Sequence, residues 1–475
     1  MKRYVALILA LLLLCGCAGK PQGEKVTAQQ PVEASDSLSA PLFLAVEQMA
    51  GFDPYNVQST CNRLILELVL QPLFTVSATG ETAPVLARGW SVSDDGMTTT
   101  VYLRNDVTFH DGSPLASSAV AGSIQRAMEG SFYAGRFRYL DSVEPRGQHT
   151  VLFHTTKAYE SFPTLLDIPI VDGIGAKPVG TGPYTWDGSK GLKKFAAWQG
   201  EYPAEAEKIE FFPVTDAFSL RDGFQYGGVS AAVIDPNAPS ALSFSGDFAL
   251  WGVPTSVMQY VGFNLESGIF KNGGLRNALS YAIDREAIVQ EDMMGFGTEA
   301  TLAALPGSAQ ENAELAGKWA YAPEKLAQTA SAGMTATIIV STPGSQRART
   351  AQRIADAMTA CGISTTVKAL SPENFQKALK NGEFDLYYAE AKLSPNGELA
   401  PFFSSELGYG GLGSYSEMRA LCDFARANSG NAYDLHRAIL TDGLLCPVAF
   451  KQTALYMHRD TFTGIAPHLN GWILE

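Results

Sequence analysis

Six histidines and six cysteines are the residues of this 475-residue chain best suited to hold a metal or to attack a carbonyl. The histidines, His110, His149, His154, His436, His458 and His468, are scattered without the spacing of a metal site. The cysteines, Cys15, Cys17, Cys61, Cys361, Cys422 and Cys446, form no C-x-x-C pair. A resident zinc or iron centre is therefore not expected, and no metal or cofactor is assigned. No G-x-S-x-G elbow and no H-E-x-x-H helix is present. Gly180-Thr181-Gly182-Pro183 has the composition of a phosphate cradle but lacks the lysine and helix start such a loop requires. It reads instead as a sharp turn into a strand at Tyr184 to Trp186. His110, within Phe109-His110-Asp111-Gly112-Ser113-Pro114, has no carboxylate or thiol at ligand spacing and reads as structural. The residue pattern favours recognition over bond-making, with a secreted hydrolase kept as the alternative from another class.

The elements that must position any such site begin after the first residues. Met1-Lys2-Arg3 is basic, Tyr4 to Leu14 is an apolar run, and Leu14-Cys15-Gly16-Cys17 ends in small residues. That is the pattern of a secretory signal, too short to be a membrane span. Its last four residues resemble a bacterial lipobox, which implies cleavage before Cys17 and lipidation of its thiol. Two or more acyl chains give stable anchoring where one does not. Residues 18–38 are poor in large apolar side chains and read as a flexible linker. The expected location is extracytoplasmic, lipid-anchored at the outer face of the cytoplasmic membrane.

Composition narrows the partners. The formal net charge is -13, and no basic stripe stands out, so nucleic acid is not an expected partner. Hydrophobic residues make up 46% of the chain, enough for more than one core, and the length suggests two or three domains. No second segment reaches the roughly 18 consecutive apolar residues needed to span a bilayer. Cys61, Cys361, Cys422 and Cys446 remain after the leader and could pair in an oxidising compartment, in three possible connectivities. From Leu42 onwards, strand-like runs alternate with amphipathic stretches, the signature of α/β architecture. Strands are expected at Thr98 to Leu103, Thr150 to His154, Val257 to Phe263, Thr335 to Val340 and Phe384 to Tyr388. Helices are expected at Leu64 to Leu70, Ala116 to Met128, Leu275 to Val289, Ala351 to Ala360 and Glu373 to Lys380. Arg276 and Asp284-Arg285 fall toward the polar side of the third helix, where solvated or bridging charges are the default.

Four motifs then occur in a fixed order: Phe109 to Pro114; Pro178 to Tyr184; Gly262-Phe263-Asn264 followed by Leu275 to Arg285; and Gly382-Glu383-Phe384-Asp385-Leu386. Together they resemble the extracellular solute-binding proteins of family 5, the peptide and nickel receptors of ABC importers. The likeness runs from about residue 40 to the end of the sequence. It implies a two-lobed, periplasmic-binding-protein-like α/β fold of type II, cluster C-like, with a hinge and an extra subdomain in the first lobe. The expected division is 1–17 signal, 18–38 linker, 39–256 lobe I, 257–447 lobe II, and 448–475 returning to lobe I. The expected function is capture of peptides between the lobes, by a monomer that hands them to a membrane permease with separate ATPase subunits. A receptor for a nickel chelate or other small cationic solute is the nearest alternative.

The same resemblance supplies candidate ligand residues. Peptide receptors of this kind carry a Trp-x-Ala-Asp-Tyr type segment whose aspartate pairs with the peptide's ammonium group. Here Tyr387-Tyr388-Ala389-Glu390-Ala391 stands in its place, so Glu390 becomes the expected ammonium ligand, with Tyr387, Tyr388 and the following Phe402 nearby. A carboxylate facing an ammonium is a strong, charge-assisted contact. Phe450, in Cys446 to Gln452, is the expected aromatic contact of the returning segment. Phe52 and Asn56, in Gly51-Phe52-Asp53-Pro54-Tyr55-Asn56, match the family's first cleft-lining segment. Two departures mark a divergent subgroup: the segment from Ser131 to Pro178 is short, and Leu326 to Gly333 lacks the usual Leu-Leu-x-x-Ala-Gly pattern.

Overall fold

The strand at Thr98–Leu103 shows how this chain makes its elements. Its residues alternate half-buried and buried, placing Thr99, Val101 and Leu103 inward. It sits inside a four-stranded antiparallel sheet, between Ala87–Val92 and Thr150–Thr155, with Leu140–Arg146 outside the latter. Helix Ser117–Glu129 packs on this sheet through Val120, Ile124 and Ala127, which repeat at helical spacing on its buried face. The computed structural model describes residues 42–458 apart from 174, 199, 201, 203–205, 239–243, 245, 343–344, 404–415 and 429–430. The leader, the linker and the lipidation candidate Cys17 lie outside the described residues.

An 11-stranded mixed sheet carries the rest. One end is built from Tyr184–Asp187, Gly191–Lys194, Lys208–Pro213, Leu42–Val46 and Ala231–Ile234. The other end is Leu386–Lys392, Thr335–Ser341 and Ser364–Leu370. Two long antiparallel strands join them, Phe248–Phe263 and Leu445–His458. Their ladder runs from Phe248↔His458 to Pro254↔Gln452, breaks, and resumes from Met258↔Phe450 to Gly262↔Leu445. Pro254 has no N–H to offer a ladder, so a break at this point is expected. Beside the break, the Thr255 hydroxyl donates to Lys451 O at 2.8 Å and the Ser256 hydroxyl donates to Leu393 O at 2.8 Å. Side chains thus replace ladder bonds where the two strands cross.

Apolar packing divides at the same place. One large core holds Met258, Tyr260, Phe263, Leu279, Ile338, Met358, Tyr388 and Phe450. A second holds Leu44, Ile65, Leu68, Val101, Phe153, Leu166 and Ile209, with Leu455 and Met457 from beyond the crossing. The fold is two-lobed α/β, with each lobe closing its own core. Gly262 shows how tightly the second lobe is packed: Tyr387, opposite it in the ladder, lays its ring where a Cβ on residue 262 would stand. The motif Gly180 to Pro183 makes a comparable close approach to the end of helix Thr60–Val69, with Gly182 N donating to Val69 O at 2.9 Å.

Two sequence expectations fail. The helix expected from Leu275 to Val289 breaks: Gly273–Ala282 is helical, Ile283 is extended at φ -88° and ψ 112°, and Asp284 starts a new turn by accepting from Ala287 N at 2.9 Å. The break turns Arg285 inward instead of leaving it solvated. Arg285 is 6% exposed, and its guanidinium donates to Ala300 O, Pro447 O and Ser280 O. Arg276, also expected at the surface, is 9% exposed and donates to Phe270 O, Asp442 O and Gly443 O. Backbone carbonyls at loop ends need donors when buried, and these arginines supply several each. The cysteines left open to pairing, Cys61, Cys361, Cys422 and Cys446, are free thiols.

Candidate functional site

Between the lobes lies a cavity of about 230 Å3 with one wall from each. The first-lobe wall is the stretch that follows helix Ser117–Glu129: Ser131, Phe132, the 3-10 turn Ala134–Phe137, then Arg138 and Tyr139, with Tyr159 beside them. Gly130 lets this stretch pass close to Tyr55, where any Cβ would collide with Tyr55 O. Asn56 fixes its start, its side-chain carbonyl accepting from Ser131 N at 3.0 Å. The second-lobe wall is Lys392, Leu393 and Ser394 at the end of strand Leu386–Lys392, then Glu398, Pro401 and Phe402. A smaller cavity of about 50 Å3 continues to the strand crossing, sharing Arg136 and reaching Pro254, Thr255 and Ser256.

Several contacts draw the walls together. Asn396 Nδ2 donates to the Tyr159 hydroxyl oxygen at 2.6 Å, and Glu160 N donates to Arg426 O at 3.1 Å. Lys157 Nζ stands 2.8 Å from an Asp423 carboxylate oxygen. Arg426, on helix Ser416–Ala427, lies 4.1 Å above the Tyr139 ring and 5.5 Å from that of Tyr159. Its guanidinium donates to Glu398 and to Asp423, both at 2.7 Å, with its side chain 1% exposed. Burial works against that charge, but Glu398 and Asp423 outweigh it and hold the Arg426 pKa above the ordinary arginine value. For Asp423, burial raises the pKa, yet Lys157 and Arg426 prevail and lower it. Burial also pushes the Tyr159 hydroxyl up, so it stays protonated.

The charge lining the cavity is unequal. Among the described residues, Arg136, Arg138 and Lys392 face it against one carboxylate, Glu398, which already serves Arg426 and Ala400 N. Arg136 is paired with the buried Asp167. Lys392 Nζ sits 4.6 Å from the centre of the Phe132 ring. Arg138 donates through Nε to Gly135 O at 3.3 Å, while its buried Nη1 has no hydrogen-bond partner among the described residues. No group of three or more His, Cys, Asp or Glu among the described residues is placed to hold a metal ion.

The residues singled out from the sequence divide. Phe402 lines the cavity and is buried against Tyr260, ring centres 5.3 Å apart. Asn56 reaches the cavity only through Ser131. Glu390 faces protein cations: Arg347 Nη1 at 2.9 Å and Lys451 Nζ at 3.7 Å, with Gln259 Nε2 at 3.4 Å. Lys451 in turn binds Asp235 at 2.6 Å, so Asp235 of one lobe and Glu390 of the other share one lysine on the crossing strand. Tyr388 is fully buried and donates to Gln259 Oε1 at 2.8 Å. Tyr387 and Phe450, each 1% exposed, are core residues. Phe52 packs edge-on against Trp186, ring centres 4.8 Å apart. Sequence reasoning passed over Arg136, Arg138, Tyr139, Tyr159, Lys392 and Arg426. The alternation Arg136-Phe137-Arg138-Tyr139 was the available signal, two cations alternating with two aromatics at a short turn.

Comparison with known proteins gives concordant results. The family model described as "Bacterial extracellular solute-binding proteins, family 5 Middle" matches residues 81–407, more than half of the chain. The glutathione-binding protein GsiB of Salmonella typhimurium is 30% identical over 295 residues, 58% of this chain and 57% of that protein. The chain thus matches little more than half the length of this relative. Among solved structures, the ABC transporter substrate-binding protein CtaP of Listeria monocytogenes superposes with a TM-score of 0.72 at 17% identity, covering 88% of this chain and 94% of that one. NikZ of Campylobacter jejuni, in complex with Ni(L-His), superposes with a TM-score of 0.63 at 20% identity, covering 88% and 94%.

Proposed function

Because the chain belongs to the bacterial extracellular solute-binding proteins of family 5, we propose that it is the substrate-binding component of an ABC importer that closes its two lobes on a small peptide. The observation that carries this reading is the cavity walled by both lobes, with Tyr139 and Tyr159 on one side and Lys392 and Phe402 on the other. A ligand seated there touches both walls only when the lobes are together, so its binding energy favours the closed form over the open one. That difference is the signal a permease, with its own ATPase subunits, would read. At about 230 Å3 the cavity lies just under the lower end of small-molecule sites, about 300 Å3, so it suits a dipeptide or tripeptide better than a long chain. A relative named for binding glutathione, a tripeptide, agrees with that scale.

The family places the protein outside the cytoplasm. We further assign it a lipid anchor at Cys17, on the outer face of the cytoplasmic membrane, and a monomeric state. The anchor rests on the Leu14 to Cys17 pattern alone. The protein acts by binding and release, without a chemical step on its ligand. Among the assigned ligand residues, Phe402 is the one on the cavity wall; Glu390, held by Arg347 and Lys451, serves the junction of the lobes. A metal chelate is the second reading, favoured by the fold shared with NikZ.

Calorimetry and thermal shift with glutathione, a di- and tripeptide set and nickel–histidine test the proposal. Saturation at one hundred times Kd should stabilise the protein by about 2.7 kcal/mol. Recovery of the unaltered ligand after denaturation is expected. An inert response to every peptide and chelate, or conversion of the ligand, would overturn the reading.

A further inference from the structure

We propose that residues Met293 to Ala300 form a third crossing of the hinge, a strap that limits how far the two lobes part, with Phe296 as the positioning residue that anchors it in the first lobe. The proposal rests on the reading of the protein as two lobes that close on a ligand, and it adds the element that sets their travel.

The strap leaves one core, enters another and returns. Ile288, Val289 and Met293 belong to the large core of the second lobe, as does Ala300. Phe296, between them, is 9% exposed and joins a separate apolar cluster with Ala45, Val214, Phe224, Ala232 and Tyr456, all from the first lobe and the strand that returns to it. The Phe296 carbonyl accepts from Gln452 N at 3.2 Å and from Asn237 Nδ2 at 3.4 Å. Gly297–Glu299 then pairs with Ala449 to Lys451 of the crossing strand Leu445–His458. The strap thereby takes up the flank of that strand which first-lobe Ala231–Ile234 covers farther along, from Ala454 to Met457. A Cβ at Gly297 would stand 2.9 Å from Met293 Sδ and 3.3 Å from Phe450 O, so the strap lies flat where the lobes meet.

The link between the two cores is short and strained. Ile288–Asp292 is a single π turn, a rare form that recurs at functional positions. Met294 follows at φ 56°, the one non-glycine residue with positive φ among the described residues, and Gly295 sits at φ 80°. An L side chain is disfavoured there, and Met294 is half exposed, so burial of its side chain does not account for the conformation. The turn is closed by Phe296 N, which donates to Met293 O at 2.9 Å, and by Gly295 N, which donates to Val289 O at 2.8 Å. A turn bonded in this way keeps its end Cα atoms within about 7 Å, whereas three extended residue steps reach about 11 Å. The strap therefore lengthens by about 4 Å before Phe296 must leave its socket. Modest opening relieves the left-handed turn; wide opening would bring a buried aromatic ring into water, which opposes it. A restricted open form loses less freedom on closing, so the stop favours binding of any ligand.

Wild-type protein, Phe296→Ala and Phe296→Leu would be compared by X-ray scattering and amide hydrogen exchange without ligand, then by calorimetry with metal-free glutathione and the di- and tripeptide set. Phe296→Ala should enlarge the ligand-free radius of gyration and speed exchange of the Gln452 amide at least tenfold, while amides in strands Thr98–Leu103 and Thr335–Ser341 keep their wild-type rates. Affinity should fall at least threefold, by one factor for every peptide that the wild type binds, because Phe296 lines neither of the two cavities. Phe296→Leu, which keeps an apolar plug, should recover most of the loss. An unchanged radius and unchanged Gln452 exchange would sink the proposal. Faster exchange throughout both lobes would reduce Phe296 to a packing residue, and a loss that differs among peptides would make it a ligand contact; either result overturns the strap. Absence of binding by every peptide to the wild type would overturn the receptor reading, and the ligand-free radius and exchange rates would still decide the strap by themselves.

Discussion

The guanidinium of Arg426 rests 4.1 Å above the ring of Tyr139, so a cation of one lobe is capped by an aromatic face of the other. Glu398 and Asp423 hold that cation from behind, and Tyr159 flanks it. The contact lies at the edge of the cavity, where any separation of the walls must break it.

Replacing Arg426 by Met should lower global stability by about 3–5 kcal/mol, the cost of stranding a buried carboxylate partner, and should loosen the closed form. Lys157→Ala, which removes a half-exposed pair with Asp423, should cost no more than about 1 kcal/mol. Melting curves give the first effect, and the radius of gyration from X-ray scattering gives the second. Equal responses of the two variants would show that Arg426 is not the stronger tie.

Glu390 gives a test of specificity. Because its carboxylate meets Arg347 and Lys451, Glu390→Ala should alter affinity for free and N-acetylated peptides by the same factor, through the hinge. A loss confined to peptides with a free amino terminus would instead make Glu390 the ammonium ligand that the family resemblance implied. Paired titrations with both peptide forms decide between the two roles.

His436 predicts a pH dependence. It is 1% exposed, neither ring nitrogen has a partner among the described residues, and burial pulls its pKa down to about 4. A histidine whose folded pKa is depressed binds its proton more readily in the unfolded chain. Its contribution is whole above the unfolded value near 6.5 and is lost as pH falls from there toward 4, by about 3 kcal/mol in all. His436→Leu should flatten the fall in melting temperature between pH 6.5 and pH 4.5. An unchanged slope in that variant would assign the acid sensitivity to other groups.

Packing at the ladder position Gly262 is similarly exposed to experiment. Gly262→Ala drives a methyl group into the Tyr387 ring and should destabilise by about 1–3 kcal/mol, as overpacked cores do. The double substitution with Tyr387→Ala should be less destabilising than the two losses added together, because the clash is gone. Strict additivity in denaturant melts would contradict the packing described.

Local patterns carried well into the structure, and distant juxtapositions did not. Thr98–Leu103 reads as a strand from its β-branched and aromatic residues, and in the sheet every second position is buried. The expected strand at Val257 to Phe263 is real, but it is the second half of a strand that begins at Phe248; the first half is apolar too, but Gly252 and Pro254 interrupt it and break the strand signal. The helix expected from Leu275 to Val289 was misread because Asp284 caps a new turn within a periodic apolar pattern. Cavity residues were harder still. Arg138 sits on a turn too short for periodicity, and Lys392 lies in a different lobe. Only folding places Ser131 to Tyr139 opposite Lys392 to Phe402, and nothing local to either segment signals the other. The family motifs located the lobes; the charge of the space between them emerged from the tertiary arrangement.

The central claim is that two lobes close on a small peptide. Its most direct test is the radius of gyration and heat of binding of one preparation titrated with metal-free glutathione. The account predicts a saturable heat at one site per chain with a smaller radius in the bound state. No heat and no contraction with glutathione, the di- and tripeptide set or nickel–histidine would contradict it.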